Sequence, residues 1–333
     1  MTHHNTKIAT LATLSTLLCL ILSSCEKVSM SGVLIGGSGT NDRVEMSVAY
    51  YQNYMEDEID ATAPGDYSFI VGSDSHVAHD SCRIAEMCQI ALDHGDMFIA
   101  HCGDIADTKA EYYIRLGKTL DAFKEKYVEK YFIDNGDGTY TDPEEPDIPA
   151  QTYEEIVTPF FVAVGNHDVT HNGWALFSEL FHSSFFEFTV KVGDTDYYDH
   201  YIFLDSANGT LGSYQVDLLD SNMLMNPNQK IRHRFVFTHT NFFRPVTNEF
   251  SSTYAREELY YMLNKFSEWN CDIVFAGHVH KFDDREFGNV RYITLDSMSE
   301  RNSPEPGDYL ERVTCHTDGT LTVERVHMNY VAP

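Results

Sequence analysis

Short apolar runs recur along this chain, and each stops at Asp, Asn or His. Tyr67-Ser68-Phe69-Ile70-Val71-Gly72 leads to Ser73-Asp74-Ser75-His76, and Met97-Phe98-Ile99-Ala100 to His101-Cys102-Gly103-Asp104. Phe160-Phe161-Val162-Ala163-Val164 ends in Gly165-Asn166-His167-Asp168. Phe235-Val236-Phe237 ends in Thr238-His239, and Ile273-Val274-Phe275 in Ala276-Gly277-His278-Val279-His280. Runs this short, bounded by glycine and polar residues, predict buried strands. Between the first two, Ile84, Met87, Cys88, Ala91 and Leu92 repeat at helical spacing, capped by Asp80-Ser81 and stopped at His94-Gly95. Leu116, Leu120, Phe123 and Tyr127 predict a second helix, and Leu259, Met262, Leu263 and Phe266 a third over residues 255–269. Strand, helix, strand, helix at this rhythm predicts an α/β fold in which ligands collect beyond the carboxyl ends of the strands. Residues 185–205 read as a hairpin-rich region, 290–295 as a strand, and 309–327 as a hairpin turning at Asp318-Gly319.

The pattern is interrupted twice. Over residues 131–158, Asp134-Asn135-Gly136-Asp137-Gly138-Thr139 is followed by prolines among acidic residues. It lacks the twelfth-position Glu and the full ligand ladder of a calcium loop, so it reads as a hairpin tip within an insertion. At the N-terminus, Lys7 precedes an apolar run too short and Thr-rich for a membrane span, so residues 1–24 read as an export signal. Leu22-Ser23-Ser24-Cys25 resembles a bacterial lipobox, which implies lipid on Cys25 and attachment to the bacterial cell envelope. Residues 25–64 then form a Gly/Ser-rich and acidic tether, with a poorly marked short helix over 44–55, and the folded domain spans 65–333.

Charge and cysteine content narrow the chemistry. A formal net charge of −28 over 333 residues excludes a protein that holds nucleic acid by diffuse basic attraction. It leaves room for phosphate chemistry where metal ions supply the positive charge. Beyond Cys19 and Cys25, Cys82, Cys88, Cys102, Cys271 and Cys315 are odd in number, lack Cys-x-x-Cys spacing, and read as buried thiols.

Set in order, the strand ends give Asp74-x-His76, Gly103-Asp104, Gly165-Asn166-His167-Asp168, His239 and Gly277-His278-x-His280. This ordered set resembles the calcineurin-like metallophosphoesterase superfamily, whose blocks are D-x-H, G-D, G-N-H-D/E, a lone H and G-H-x-H. The resemblance implies a sandwich of two mixed β-sheets flanked by helices. It implies two metal ions, one held by Asp74, His76 and His280, the other by Asn166, His239 and His278, with Asp104 bridging. Mixed carboxylate and imidazole donors suit Mn, Fe or Zn better than Ca or Mg. The implied reaction is hydrolysis of a phosphomonoester or phosphodiester substrate by a metal-bridged hydroxide, with His167 as general acid and Asp168 orienting it. Two-residue spacing in strand geometry puts Asp74 with His76, and His278 with His280, on common sides. The glycines before Asp104, Asn166 and His278 are expected to permit turns.

Asp107 stands where the family is often acidic, against a loop or cap role. His101 and His171 are the other histidines to locate. Asp205 and Asp296 also end apolar runs, and Phe242-Phe243 follows His239, with core packing as the default. An alternative is a surface binding protein that keeps the fold as a scaffold. Purple-acid-type chemistry lacks its tyrosine ligand, since Tyr112 and Tyr113 lie too far along.

Overall fold

The computed structural model describes residues 39–54, 61–63, 65–78, 82–128, 133–134, 140–141, 152–221, 229–299 and 309–328. The export signal, Cys25 and most of the tether lie outside these residues, as does most of the expected turn at 134–139.

In chain order the first half contains helix α1 (Thr40–Tyr54) and strands β1 (Ala61–Ala63) and β2 (Tyr67–Gly72). Helix α2 (Ile84–His94), β3 (Ile99–His101) and α3 (Ala110–Asp121) follow. Then come β4 (Lys124–Val128), β5 (Ile133–Asp134), β6 (Tyr140–Thr141), β7 (Thr152–Ile156) and β8 (Phe160–Val162). The second half has the short helix α4 (Asn166–Val169), α5 (Gly173–Phe181), β9 (Phe186–Val192), β10 (Tyr197–Phe203) and α6 (Gly212–Asp220). It closes with β11 (Lys230–Phe237), α7 (Arg256–Glu268), β12 (Ile273–Ala276), β13 (Asp283–Phe287), β14 (Val290–Thr294), β15 (Tyr309–Cys315) and β16 (Leu321–His327).

Two mixed sheets form the centre, as expected. One runs β1-β9-β10-β11-β12-β14-β13 and the other β16-β15-β2-β3-β8. Side chains alternate between layers with the two-residue period of a strand. Phe69 and Val71, Tyr201 and Phe203, Phe235 and Phe237, and Ile273 and Phe275 point between the sheets. Their neighbours Ile202, Val236 and Val274 pack instead under α1, α6 and α7, while Ile70 packs under α2, α3 and α5. The inner layer is an aromatic stack, with Phe69 against Phe98 at 4.8 Å and Phe203 against Phe237 at 4.6 Å between centroids. Each such side chain, fully buried, contributes about 1.5–3 kcal/mol relative to exposure.

This register positions the site. β2, β3 and β8 are mutually parallel, as are β11 and β12, so the loops after them emerge on a shared edge.

Two expectations need correction, and two helices lie where none is expected. The helix predicted through Tyr127 ends at Asp121, because residues 124–128 turn back as β4 and pair antiparallel with β7 at the base of the insertion. Helices α5 and α6 carry no expectation at all; each is nine residues long, too short for its period to stand out. The folded unit also begins before residue 65. Helix α1 lies within the expected tether, yet Arg43 is fully buried and its guanidinium forks onto Asp205 at 2.8 Å for both Nε and Nη2. The local pattern hides this, since α1 is polar on average and, among its described side chains, Val44 alone of the hydrophobic ones is fully buried. Cys82, Cys88, Cys102, Cys271 and Cys315 are unpaired thiols, all but Cys82 buried.

Candidate metal centre

The loops after the parallel strands do not continue in strand geometry. Asp74 (φ 53°), His76 (42°), Asp104 (52°), His278 (77°) and His280 (53°) all have left-handed backbones, half of the ten such non-glycine residues among those described. This conformation costs about 1–3 kcal/mol per residue and persists where surrounding structure imposes it. The common orientation of Asp74 with His76, and of His278 with His280, therefore does not come from strand alternation. Backbone contacts between loops impose it. Asp74 N–H donates to the Gly103 carbonyl and His76 N–H to the Asp104 carbonyl, both at 3.0 Å. Gly277 N–H donates to the His239 carbonyl at 2.9 Å, and His278 N–H reaches Asp74 Oδ2 at 3.0 Å, tying the two sheets together.

Gly103 makes the expected left-handed turn, with φ 85°. Gly277 serves a different need: a Cβ there would overlap Ser73 Oγ and Asp74 Oδ2. Gly277→Ala should therefore cost about 1–3 kcal/mol of stability through overpacking and displace the Asp74 carboxylate. Urea denaturation with metal analysis checks this; an unchanged midpoint and metal content would refute it.

The seven expected ligands converge as two clusters that meet at Asp104. In one, His280 Nε2 lies 3.2 Å from both Asp74 Oδ1 and His76 Nε2, and His76 Nε2 lies 3.8 Å from Asp104 Oδ2. In the other, Asn166 Oδ1 lies 3.0 Å from His239 Nε2 and 2.9 Å from His278 Nδ1, and Asp104 Oδ2 lies 3.3 Å from His239 Nε2. Asp74–His76–His280, Asp74–Asp104–His239 and, at the rim, His76–Asp107–His167 are each compact enough to hold a metal ion.

The donor chemistry fits a cation. His239 Nδ1 donates to the Cys102 carbonyl at 2.9 Å, which leaves Nε2 as a bare lone pair in the neutral ring. That lone pair faces the oxygens of Asn166 and Asp104, and positive charge among them satisfies all three. Burial opposes a proton on His239, but the charge and hydrogen bond of Asp104, with the charge of Asp74, outweigh it and raise the ring to about 10. A proton or a metal ion satisfies the same demand. His278 goes the other way: burial and the neighbouring His239 push it down to about 4, leaving it an acceptor.

His167 stands at the rim with 47 % of its side chain exposed, its ring 4.7 Å from that of His76. Its Nδ1 lies 3.4 Å from Asp107 Oδ1, the same oxygen that receives His76 Nδ1 at 3.2 Å. Asp168 is thus not the partner of His167. It is fully buried, and its carboxylate accepts from the backbone N–H groups of Ile105 (3.1 Å), Ala106 (3.3 Å) and Gly165 (2.8 Å) and from the Tyr113 hydroxyl (3.1 Å). Asp168 stitches the β3 and β8 loops together, while burial and the charge of Asp104 raise its carboxyl to about 6. Asp107 does the work the sequence reading gave to Asp168. Its position three residues after Asp104 was the available signal.

Of the remaining candidates, His101 is buried behind the site with neither ring nitrogen hydrogen-bonded, and burial lowers it to about 3. His171 sits on a left-handed turn at the end of α4. Phe242 and Phe243 pack under α7 rather than lining the site. Asp205 meets Arg43, and Asp296 Oδ1 accepts from Phe282 N–H at 2.8 Å, two residues past His280.

The profile of the calcineurin-like phosphoesterase family matches residues 97–282, more than half of the chain. The chain belongs to this family. It is accordingly a hydrolase of phosphoester bonds, in a family that is dimetal-dependent. Asp74 and His76 precede the matched span, yet the fold brings them to the same edge. Among solved structures, a purple acid phosphatase from yellow lupin (Lupinus luteus) seeds is 12 % identical, covering 81 % of this chain and 53 % of that one with a TM-score of 0.54. This shows the shared sandwich fold. A dimetal phosphatase from Danio rerio is 11 % identical, covering 79 % of this chain and 99 % of that one with a TM-score of 0.49. No curated protein matches the chain.

Proposed function

We propose that the chain hydrolyses a phosphomonoester or phosphodiester at a dinuclear centre, with Asp74, His76 and His280 holding one ion, and Asn166, His239 and His278 the other. Asp104 is shared. The observation that carries this reading is the His239 lone pair, fixed by the Cys102 carbonyl and aimed at the Asn166 and Asp104 oxygens, a donor set that a metal ion placed among them satisfies. Asn166 contributes a neutral oxygen, which keeps the site from becoming too anionic for a phosphate ester. Imidazole-rich donors favour Mn, Fe or Zn. Bound there, such ions supply an activated water and screen the phosphate oxygens as charge develops. The chain's own part is to orient and protonate: His167, backed by Asp107, faces the rim where a leaving group departs.

The test is elemental analysis together with turnover of aryl phosphomonoesters and phosphodiesters. Purified protein should carry near two ions per chain, lose turnover on chelation, and regain it with one of the three metals. Asn166→Ala should lower turnover by about 100-fold or more. Metal-free protein with no turnover would favour the scaffold alternative instead.

A further inference from the structure

We propose that helix α1 is a positioning element for the second ion's half-site, acting through Arg43; this rests on reading Asp104, Asn166, His239 and His278 as that ion's ligands. The helix lies outside the span matched by the family profile, which starts at residue 97. Its charged side chain Arg43 is fully buried against the two segments that shape this half of the centre.

The first segment is the loop after β10. Arg43 holds both oxygens of Asp205, and its Nη2 also donates to Asn208 Oδ1 at 2.6 Å. Thr40 Oγ1 reaches the same Asn208 oxygen at 3.3 Å. Asn41 extends the clamp to the first turn of α6, its Oδ1 accepting from Tyr214 N–H at 3.0 Å. Ser206 is pinned between Asp205 and Asn208, and its Oγ accepts from the backbone N–H groups of His239 at 3.1 Å and Thr240 at 2.9 Å. Its carbonyl receives Thr240 Oγ1 at 2.8 Å. The backbone of His239 therefore hangs on a serine whose preceding residue is a buried carboxylate neutralised from α1.

The second segment is α5, which follows the Asn166-His167-Asp168 turn. The Arg43 guanidinium sits 5.9 Å from the centroid of Trp174 in its first turn, within cation–π range. The same guanidinium thus touches the loop that holds His239 and the helix that follows Asn166, whose carbonyl accepts from Thr170 Oγ1 at 2.6 Å while the Thr170 carbonyl accepts from Gly173 N–H at 3.0 Å. Asp74 and His76 are held differently, by the Gly103 and Asp104 carbonyls and by Ser297 Oγ on the Asp74 carbonyl. Loss of Arg43 leaves Asp205 buried without its counter-charge, so this loop must open or take up water. The second half-site shifts while the first keeps its supports.

The experiment is stepwise Mn²⁺ titration of metal-free full-length protein by calorimetry, with thermal midpoints recorded in parallel. Arg43→Met should weaken one ion by roughly 10–100-fold, as loss of a ligand's outer support does, and leave the other within about twofold. Adding Asp205→Leu to Arg43→Met removes the uncompensated carboxylate and should recover part of that loss. Arg43→Lys, which keeps charge but not the fork, should fall between and serves if Arg43→Met does not fold. Equal affinities in variant and wild type overturn the proposal, as does a parallel loss at both ions in step with the thermal midpoint. Wild-type protein that takes up fewer than two ions overturns the underlying ligand reading, and is seen before any variant is made.

Discussion

Replacing Asp104 by asparagine should remove both ions, and turnover with them. Asp104 lies between the two proposed ligand sets, with Oδ2 3.8 Å from His76 Nε2 and 3.3 Å from His239 Nε2. It is buried, which by itself would raise its carboxyl, but His239, His76 and His167 together hold it well below the usual carboxylate range. The charge is therefore present at every working pH. Asparagine keeps the shape, and its Oδ1 can still accept the His167 N–H, which reaches Asp104 at 2.7 Å. The fold should survive, while the charge that draws in two cations is gone. Affinity at both positions should fall by more than about 100-fold, the upper end of what loss of a mere outer partner costs. His280→Ala and Asn166→Ala should instead weaken one ion first, and not the same one. Calorimetry and elemental analysis on folded protein check all three, with circular dichroism as the control. An Asp104→Asn protein that retains two ions would sink the bridging assignment.

How the site came to be legible is instructive. Each ligand block sits where an apolar run ends, because parallel strands deliver their carboxyl ends to one edge and the chemistry needs polar groups there. A reader of the sequence sees both halves of that arrangement. The central strands were readable as short apolar runs, but which face each residue takes, Phe235 and Phe237 between the sheets and Val236 under the helices, is not visible in three apolar residues. What could not be read was anything set by contacts distant in sequence. The orientation of His76 depends on a hydrogen bond from its N–H to Asp104. The necessity of Gly277 depends on Ser73, some two hundred positions away. Helix α1 is the clearest case, for its place in the domain rests on one arginine meeting Asp205, and no local pattern announces a buried ion pair 162 residues apart.

The exchange of roles between Asp107 and Asp168 has the same origin. Both are acidic, but only Asp168 adjoins His167 along the chain, and that proximity favoured Asp168. The short helix α4 turns the Asp168 carboxylate inward, to the N–H groups of Ile105, Ala106 and Gly165. Asp107 reaches His167 from the loop after β3.

His167→Asn should lower turnover by about 10²–10⁴-fold, with the loss steepest for alkyl esters. An alkoxide leaving group needs a proton as the P–O bond breaks, whereas a nitrophenolate hardly does, so the variant's deficit should shrink on nitrophenyl phosphate. His167 is a ligand of neither ion in this reading, so metal content should not change; loss of one ion would point instead to the His76–Asp107–His167 group. The pH profile gives a second readout. The hydrogen bond to Asp107 raises the His167 pKa above its ordinary value, against the effect of burial. A group that must be protonated loses function as pH rises through its pKa, so the alkaline limb of turnover should report His167 and lie above the ordinary histidine range. Asp107→Asn removes the main cause of that shift, and the limb should move to lower pH. The same substitution replaces the charged acceptor of His76 Nδ1, 3.2 Å away, by a weaker neutral one, so it should also weaken the ion held by Asp74, His76 and His280. His167→Asn should not. If the two variants showed the same metal affinities and the same alkaline limb, Asp107 would be no more than a loop residue, and the proton delivered to the leaving group would have to come from elsewhere on the rim.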